Sequence, residues 1–336
     1  MSETQKVPVL VTGGAGYIGS HAVLALRDAG WPAAVIDNLS TGFAFAVPDD
    51  VPLYEGDISD SILLEQIIAE QGIKAIMHFA GSIIVPESVE NPLKYYDNNT
   101  VKSRALIEAA VAGGVDHFIF SSTAATYGTP ETSPVSEDSP KQPINPYGWS
   151  KLMTEQMLAD ASAAYGFNFC ALRYFNVAGA DPDARTGQST AGATHLIKVA
   201  CEAATGKRDG VAVFGTDYDT PDGTGVRDYI HVSDLANAHL LALEALIEQP
   251  ERSLTMNCGY GHGFSVLEVL DAVDRVTNQR IDRRMESRRA GDPGELVSDP
   301  SRIRQTLPWQ PKYADLGDII THALQWERKL SELRGK

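Results

Sequence analysis

The chain has 336 residues, with 28 lysines and arginines against 44 aspartates and glutamates, a formal net charge of −16 and a pI near 4.9. That length allows one large unit or two, and the acidic balance disfavours any role that needs a broad basic surface for nucleic acid or an anionic membrane. No apolar run approaches a membrane span, and Cys170, Cys201 and Cys258 are too few and too widely spaced for a disulfide framework or a zinc cluster. The opening MSETQKVPVLVTGG has neither a basic region nor a long apolar core, so no signal peptide is expected and the cytoplasm is the expected compartment.

Val7 to Thr12 predicts a strand, followed by Gly13-Gly14-Ala15-Gly16-Tyr17-Ile18-Gly19-Ser20-His21 and a helix expected from Ala22 to Ala29. Strand, glycine turn and helix in that order suit a dinucleotide pyrophosphate. Gly13, Gly16 and Gly19 permit the tight turn, the close backbone approach and the helix–strand packing, while free N–H groups at the helix start face the phosphates. A second strand, Ala33 to Ile36, ends in Asp37 and Asn38. An acid about 20 residues past the glycines accepts the ribose hydroxyls of NAD and repels the extra phosphate of NADP, so NAD is the expected cofactor. Asp57, next to Ile58, either takes the adenine amino group or caps a helix from Ser59 to Glu70. A fourth strand, Ala75 to Phe79, leads to Ala80, Gly81 and Ser82, small enough for a backbone to pass close to the cofactor. Asn91-Pro92 opens a long helix whose Asn98 and Asn99 either decorate its face or hold a loop against the ligand.

The fifth strand, His117 to Phe120, delivers Ser121-Ser122-Thr123 at its carboxyl end, where open α/β sheets bind ligands. Residues 128–146 are rich in Pro, Ser and acids and read as a loop over the cleft, with Pro146 in the first turn of the next helix. On that helix Tyr147 and Lys151 stand four apart and share a face. The pair suits proton transfer. Lowering a phenol by ~3 pKa units requires roughly 4 kcal/mol, and one cation at ~5 Å in an effective dielectric of ~20 supplies on the order of 3 kcal/mol. Burial opposes the shift, so a second positive charge, such as an oxidised nicotinamide, is needed.

A sixth strand, Asn168 to Leu172, precedes Arg173-Tyr174-Phe175-Asn176, and beyond about Gly192 the alternation of strand and helix becomes irregular. The expected fold class is therefore α/β: a Rossmann-type doubly wound parallel sheet over 1–176, with a smaller C-terminal α+β substrate-binding lobe over 177–336 and parts of 225–260 open to either unit. In the lobe the run from Phe214 to Val232 carries Arg227. Arg227 and Arg289 read as local cations for a phosphate, although Arg288 and Arg289 also fit a solvated charged face. The Asp217 to Gly223 series lacks the closing Glu of a calcium loop and has Pro221 within it. With the eight histidines dispersed, no metal site is expected. Ser233 to Ile247, Ser265 to Thr277 and Asp315 to Lys329 predict amphipathic helices.

The motifs TGGAGYIGSH (12–21), DNLSTG (37–42), HFAG (78–81), YYDNN (95–99), YGWSK (147–151), RYFNVAGA (173–180) and DGTGVRDYIHV (222–232) span most of the chain. By them it resembles the extended short-chain dehydrogenase/reductases and, within these, is similar to the UDP-glucose 4-epimerases. The resemblance implies a tightly held NAD, a UDP-sugar bound across two lobes, and inversion at C4 of the hexose through a transient 4-keto sugar. It implies that Tyr147 takes the proton of the 4-hydroxyl, that Lys151 lowers the Tyr147 pKa and fixes the nicotinamide ribose, and that Thr123 hydrogen-bonds the same hydroxyl. Near the cofactor it adds Tyr17, Ile18, Asn38, Asp57, Ile58, Phe79, Ala80, Gly81, Asn98, Ser121, Tyr174 and Phe175 to the glycines and Asp37. Near the substrate it places Phe175, Asn176, His195, Leu196, Phe214, Arg227, Arg289, Asp292 and Leu296. It also implies a homodimer through helices near 91–112 and 147–165.

Three positions depart from the family pattern: Ile83 where a Lys is frequent, His195 where an amide commonly precedes Leu196, and Leu296 at the position that gates N-acetyl sugars. An unacetylated UDP-hexose is the expected substrate, with UDP-uronate and UDP-N-acetylhexosamine epimerases as alternatives. Sugar 4,6-dehydratases carry acids directly after the active-site Thr, where this chain has Ala124 and Ala125. A non-catalytic NAD-dependent sensor on the same fold is a further alternative, opposed by the intact Tyr147 and Lys151.

Overall fold

The computed structural model describes residues 5–289 and 292–334. Strands and helices alternate through the first half: β1 (Val9–Thr12), α1 (Tyr17–Asp28), β2 (Ala33–Asp37), β3 (Leu53–Glu55), α2 (Ser61–Gln71), β4 (Ala75–His78), α3 (Val85–Glu90), α4 (Pro92–Tyr95), a π-helical turn (Tyr96–Val101), α5 (Lys102–Ala112), β5 (His117–Thr123), α6 (Pro146–Tyr165) and β6 (Asn168–Tyr174). The second half holds β7 (Asn176–Ala178), α7 (Leu196–Ala204), β8 (Val211–Phe214), β9 (Val226–His231), α8 (Val232–Glu248), β10 (Leu254–Cys258), β11 (Gly263–Ser265), α9 (Val266–Thr277), β12 (Arg283–Glu286), β13 (Glu295–Leu296), α10 (Ser301–Thr306) and α11 (Leu316–Arg334).

Seven parallel strands form the main sheet in the order β10-β6-β5-β4-β1-β2-β3. Side-chain alternation divides its core between two faces. Val9, Val11, Val35, Met77 and Ile119 pack with residues of α1 and α8, while Leu10, Ile36, Ile76, Phe118 and Phe120 pack with Leu64 and Ile67 of α2 and Leu106 of α5. Both faces are covered, so β5 and β6 are buried along their whole length. Strand order reverses between β1 and β4, and ligands of such sheets bind in the crevice at that point. The second half supplies a small sheet in which β9 is flanked by β11, β13 and β7, and a parallel β8–β12 pair. Strand β10, far along the chain from β7, returns to the edge of the main sheet beside β6.

Several boundaries differ from the sequence expectation, each for a local reason. Helix α1 begins at Tyr17 rather than Ala22, which puts Gly19 in its first turn. A Cβ there would lie 2.2 Å from the Gly13 carbonyl oxygen, so glycine alone fits. Strand β5 continues through Thr123 because Ser121, Ser122 and Thr123 pair with Leu172, Arg173 and Tyr174. Asp57 does not cap α2; Asp60 does, accepting from the Leu63 N–H. The helix expected from Asn91 is broken into α4, the π-helical turn and α5. Among the described residues no helix is long and apolar enough to cross a membrane.

Candidate active site

The glycine turn lies where β1 and β4 diverge. Gly13 has φ of 69°, and a Cβ on it would come 2.6 Å from the Ala80 amide nitrogen, so the turn and the segment after β4 touch through backbone. Gly16 faces open space apart from the Gly13 carbonyl at 3.2 Å, leaving room for a bulky anion at the start of α1. The Tyr17 hydroxyl donates to the Gly179 carbonyl at 2.7 Å, tying this turn to the strand that enters the smaller lobe. Ile18 packs against the core cluster on the same face.

At the end of β2, Asp37 accepts from the Ala15 N–H at 3.0 Å and the Leu39 N–H at 2.8 Å, one to each carboxylate oxygen. Burial raises its pKa, opposed by those two bonds. Each oxygen keeps lone-pair capacity for a further donor. Leu39 has a left-handed φ of 55°, an uncommon state for a non-glycine residue that the Asp37 bond helps to hold. The Asn38 side chain accepts from the Ser40 N–H and is exposed. Asp57 is engaged by Lys102 at 2.6 Å and by Ser59; burial pushes its pKa up, but these partners outweigh it and bring it down to about 2. Ile58 is buried in the core. After β4, the Phe79 ring packs on His239 at 4.8 Å between centroids, and Ala80 and Gly81 continue past it.

The placement of Tyr147 and Lys151 follows from the start of α6. Asn145 caps that helix by accepting from the Gly148 N–H at 2.9 Å, with Pro146 at its first position. A Cβ on Gly148 would meet the Ala125 carbonyl oxygen at 2.6 Å, so glycine lets the helix approach the end of β5. Lys151 is 3% exposed; its ammonium donates to the Ser121 carbonyl at 3.0 Å and lies 5.0 Å from the Phe120 ring centroid. Burial pulls its pKa down to about 8. Among the described residues this is its one protein hydrogen bond, so two of its three donors are available to a ligand. Desolvation raises the Tyr147 phenol, opposed by a hydrogen bond to Thr123. Tyr174 donates to the Ser121 hydroxyl and stacks edge-on against His239. Asn98 donates to the Ser82 hydroxyl at 3.0 Å.

In the smaller lobe, Phe175 and Leu296 pack together on Ala124, Tyr127 and Val135, directly beyond Thr123. Asn176, His195 and Leu196 line one cavity with Gln188, Lys198 and Trp326. The Gln188 amide meets His195 Nδ1 at 2.8 Å, and burial lowers the His195 pKa. The Arg289 guanidinium lies 3.8 Å from the Phe214 ring centroid. Arg227 is ion-paired with Asp292 and donates to the Pro293 carbonyl at 2.8 Å. Arg288, exposed like Arg289, turns to Asp217 and to the Tyr218 ring.

The sequence left Asn99 open between a helix-face position and a loop clamp; it accepts from the Ser82 N–H and donates to the Ser82 carbonyl and the Ser150 hydroxyl, clamping the loop after β4 onto α6. Sequence reading missed that Glu155, Arg173 and Ser122 form a buried polar cluster beneath Tyr147 and Lys151. His239 and Gln188 also went unnoticed. Glu155 alone carried a usable sign, a charge four residues after Lys151 on the buried helix face.

The glycine cradle, the Asp37 carboxylate and the free donors of Lys151 fit a dinucleotide spanning the sheet crevice. A family model described as "NAD dependent epimerase/dehydratase family" matches residues 9–259. The chain belongs to this family. Among members of this epimerase/dehydratase family, it is 57% identical to the UDP-glucose 4-epimerase of Azospirillum brasilense over 98% of this chain and 94% of that protein. Its structure resembles that of the UDP-glucose 4-epimerase from Brucella ovis in complex with NAD, with a TM-score of 0.92 and 44% identity over 95% of this chain and 98% of that one. The UDP-Glc/GlcNAc 4-epimerase from Campylobacter jejuni is 51% identical, with a TM-score of 0.84 over 96% and 99% of the two chains.

Proposed function

We propose that the chain is an NAD-dependent isomerase that interconverts UDP-galactose and UDP-glucose at C4 of the hexose. The observation that carries this reading is the placement of Lys151 and of the Thr123–Tyr147 hydrogen bond at the carboxyl end of β5, beside the glycine cradle. Gly13, Gly16, Gly19 and Asp37 would hold NAD, with Lys151 donating to the nicotinamide ribose. When bound, NAD supplies a reversible hydride acceptor and a positive ring.

Tyr147 takes the proton from the 4-hydroxyl and later returns it. Thr123 holds the phenol and the sugar hydroxyl in line. Lys151 favours the phenolate by its charge. Asn176, Leu196, Phe214, Arg227 and Arg289 keep the UDP in place while the 4-keto sugar turns over, with Phe175 and Leu296 forming the wall beside the hexose. Ala124 and Ala125 are both apolar and follow Thr123 directly, so no acid stands there to drive elimination from the sugar. This supports epimerisation over dehydration.

A homodimer and a cytoplasmic location belong to the same proposal. Leu93, Val89, Trp149 and Met153 are exposed apolar residues on α3, α4 and α6, which pack side by side and offer a surface to a second copy. The three cysteines are buried and free, in keeping with a reducing compartment. The test is incubation of purified protein with UDP-galactose and no added cofactor. UDP-glucose is the expected product; its absence, or turnover of UDP-N-acetylgalactosamine or UDP-galacturonate alone, would overturn the substrate assignment.

A further inference from the structure

Beneath Tyr147 and Lys151 lies a buried polar network to which the reaction proposed above gives no role. Glu155 stands one helical turn beyond Lys151 and two beyond Tyr147, on the buried face of α6. Its Oε1 accepts from the Ser122 hydroxyl and from Arg173 Nε at 2.9 Å, and its Oε2 accepts from a second nitrogen of the same guanidinium. The two side chains are 4% and 8% exposed. Arg173 continues to the Tyr127 hydroxyl at 3.0 Å, and Tyr127 donates to Asn257 of β10 at 2.6 Å. Asn257 in turn holds the Val135 carbonyl at 2.7 Å, in the loop over the cleft.

Two members of this network, Ser122 and Arg173, are immediate chain neighbours of residues at the site. Ser122 separates Ser121, whose carbonyl holds the Lys151 ammonium, from Thr123, which bonds the Tyr147 phenol. Arg173 precedes Tyr174, whose hydroxyl bonds Ser121. A charged pair out of water is a costly way to join a helix to a sheet, and apolar packing would serve stability as well or better. What the pair adds is direction: a bidentate fork fixes the rotation and axial setting of α6 relative to β5 and β6, which apolar contact leaves free to slide.

We infer that Glu155, acting through Ser122 and Arg173, is a positioning residue for the epimerisation, setting α6 so that Tyr147 and Lys151 meet Thr123 and Ser121 in reacting geometry. The inference rests on the function proposed above. Displacing a reacting group by a fraction of an ångström lowers kcat steeply while leaving substrate binding nearly intact.

The experiment compares wild type, Ser122→Ala, Glu155→Gln, and the double variant Glu155→Gln/Arg173→Met, which leaves no buried charge unpaired, with Tyr147→Phe as control. Melting temperature, bound NAD, kcat, KM and the pH profile of kcat for UDP-galactose are measured for each. Ser122→Ala removes only the helix-to-strand hydrogen bond and is expected to fold normally, with kcat lowered about tenfold, KM within about twofold, and the acid limb of the profile moved to higher pH as the phenol loses its partners. The double variant is expected to show a larger effect in the same direction. Wild-type kcat and an unmoved acid limb in Ser122→Ala would overturn the inference whether or not the charge variants fold. A wild-type protein inactive on UDP-galactose would instead overturn the functional reading on which it rests.

Discussion

At Tyr147 two influences oppose each other: desolvation raises the phenol, and the Thr123 hydrogen bond favours its ionised form. The protein without its cofactor therefore keeps Tyr147 protonated near neutrality, and in the proposed reaction proton transfer would await the added positive charge of a bound nicotinamide. Tyr147→Phe is expected to retain bound NAD and lose turnover by about 10³-fold, within the range for removing a general base; undiminished turnover would take the phenol out of the reaction. Lys151 gives a pH signature of its own. With its pKa pulled down to about 8 by burial, the ammonium is charged at neutral pH and loses its proton as pH rises through 8. NAD titrations of the cofactor-free protein should show affinity falling between about pH 7 and 9, and Lys151→Met should flatten that fall. Tyr147, Lys151 and Thr123 were legible in the sequence because two share a helix face and the third ends a strand. Glu155 was not, since its partners lie 18 and 33 residues away and meet it only in the folded chain; for Asn99 the sequence left two readings open, and its bonds to Ser82 favour the loop clamp.

At the level of elements, α6 does two things. Its inner face carries Tyr147 and Lys151, and its outer face exposes Trp149 and Met153 beside Leu93 of α4, which is 77% exposed. If that surface joins two copies, Leu93→Glu/Met153→Glu should run as a monomer in light scattering where the unaltered protein runs as a dimer. The π-helical turn is the other element with a job. It presents Asn99 to the backbone N–H and C=O of Ser82, and Asn99→Ala would leave these part-buried groups without that partner, at about 1 kcal/mol each. A lowered melting temperature together with faster NAD loss is the expected result. The sequence predicted one long helix here because helical propensity and apolar spacing continue through it; nothing local marks a widened turn. Helix α1 was misjudged for the opposite reason, since a glycine-rich run reads as loop until the close approach of Gly19 to Gly13 is seen.

Across the whole molecule, the main sheet was legible from the alternation of strand and helix, because parallel strands buried on both faces leave near-continuous apolar runs. The return of β10 to the sheet was legible only as the option that parts of 225–260 join the first unit, since a crossover of that length is set by packing of α8 against β5 and β6 rather than by any local pattern. That core also holds titratable groups. Burial pushes His78 and His231 down to about 3, and His21 and His239 down to about 4. Their folded values lie below the unfolded value of about 6.5, so between the two the unfolded chain binds protons that the fold refuses, and stability is lost as pH falls from about 6.5 towards 4. Asp57, at about 2, loses its contribution only at lower pH. Melting temperature should therefore drop between about pH 6.5 and 4, and His239→Gln should lessen the slope; a flat profile would contradict the buried neutral state.

The central claim is that hydrogen leaves C4 and comes back to C4 within one closed site. UDP-galactose carrying deuterium at C4, incubated in ordinary water with the purified protein and no added cofactor, measures this directly. UDP-glucose with the deuterium still on C4 is the expected product, and product whose C4 label has been exchanged for solvent hydrogen would rule out a hydride held within the site.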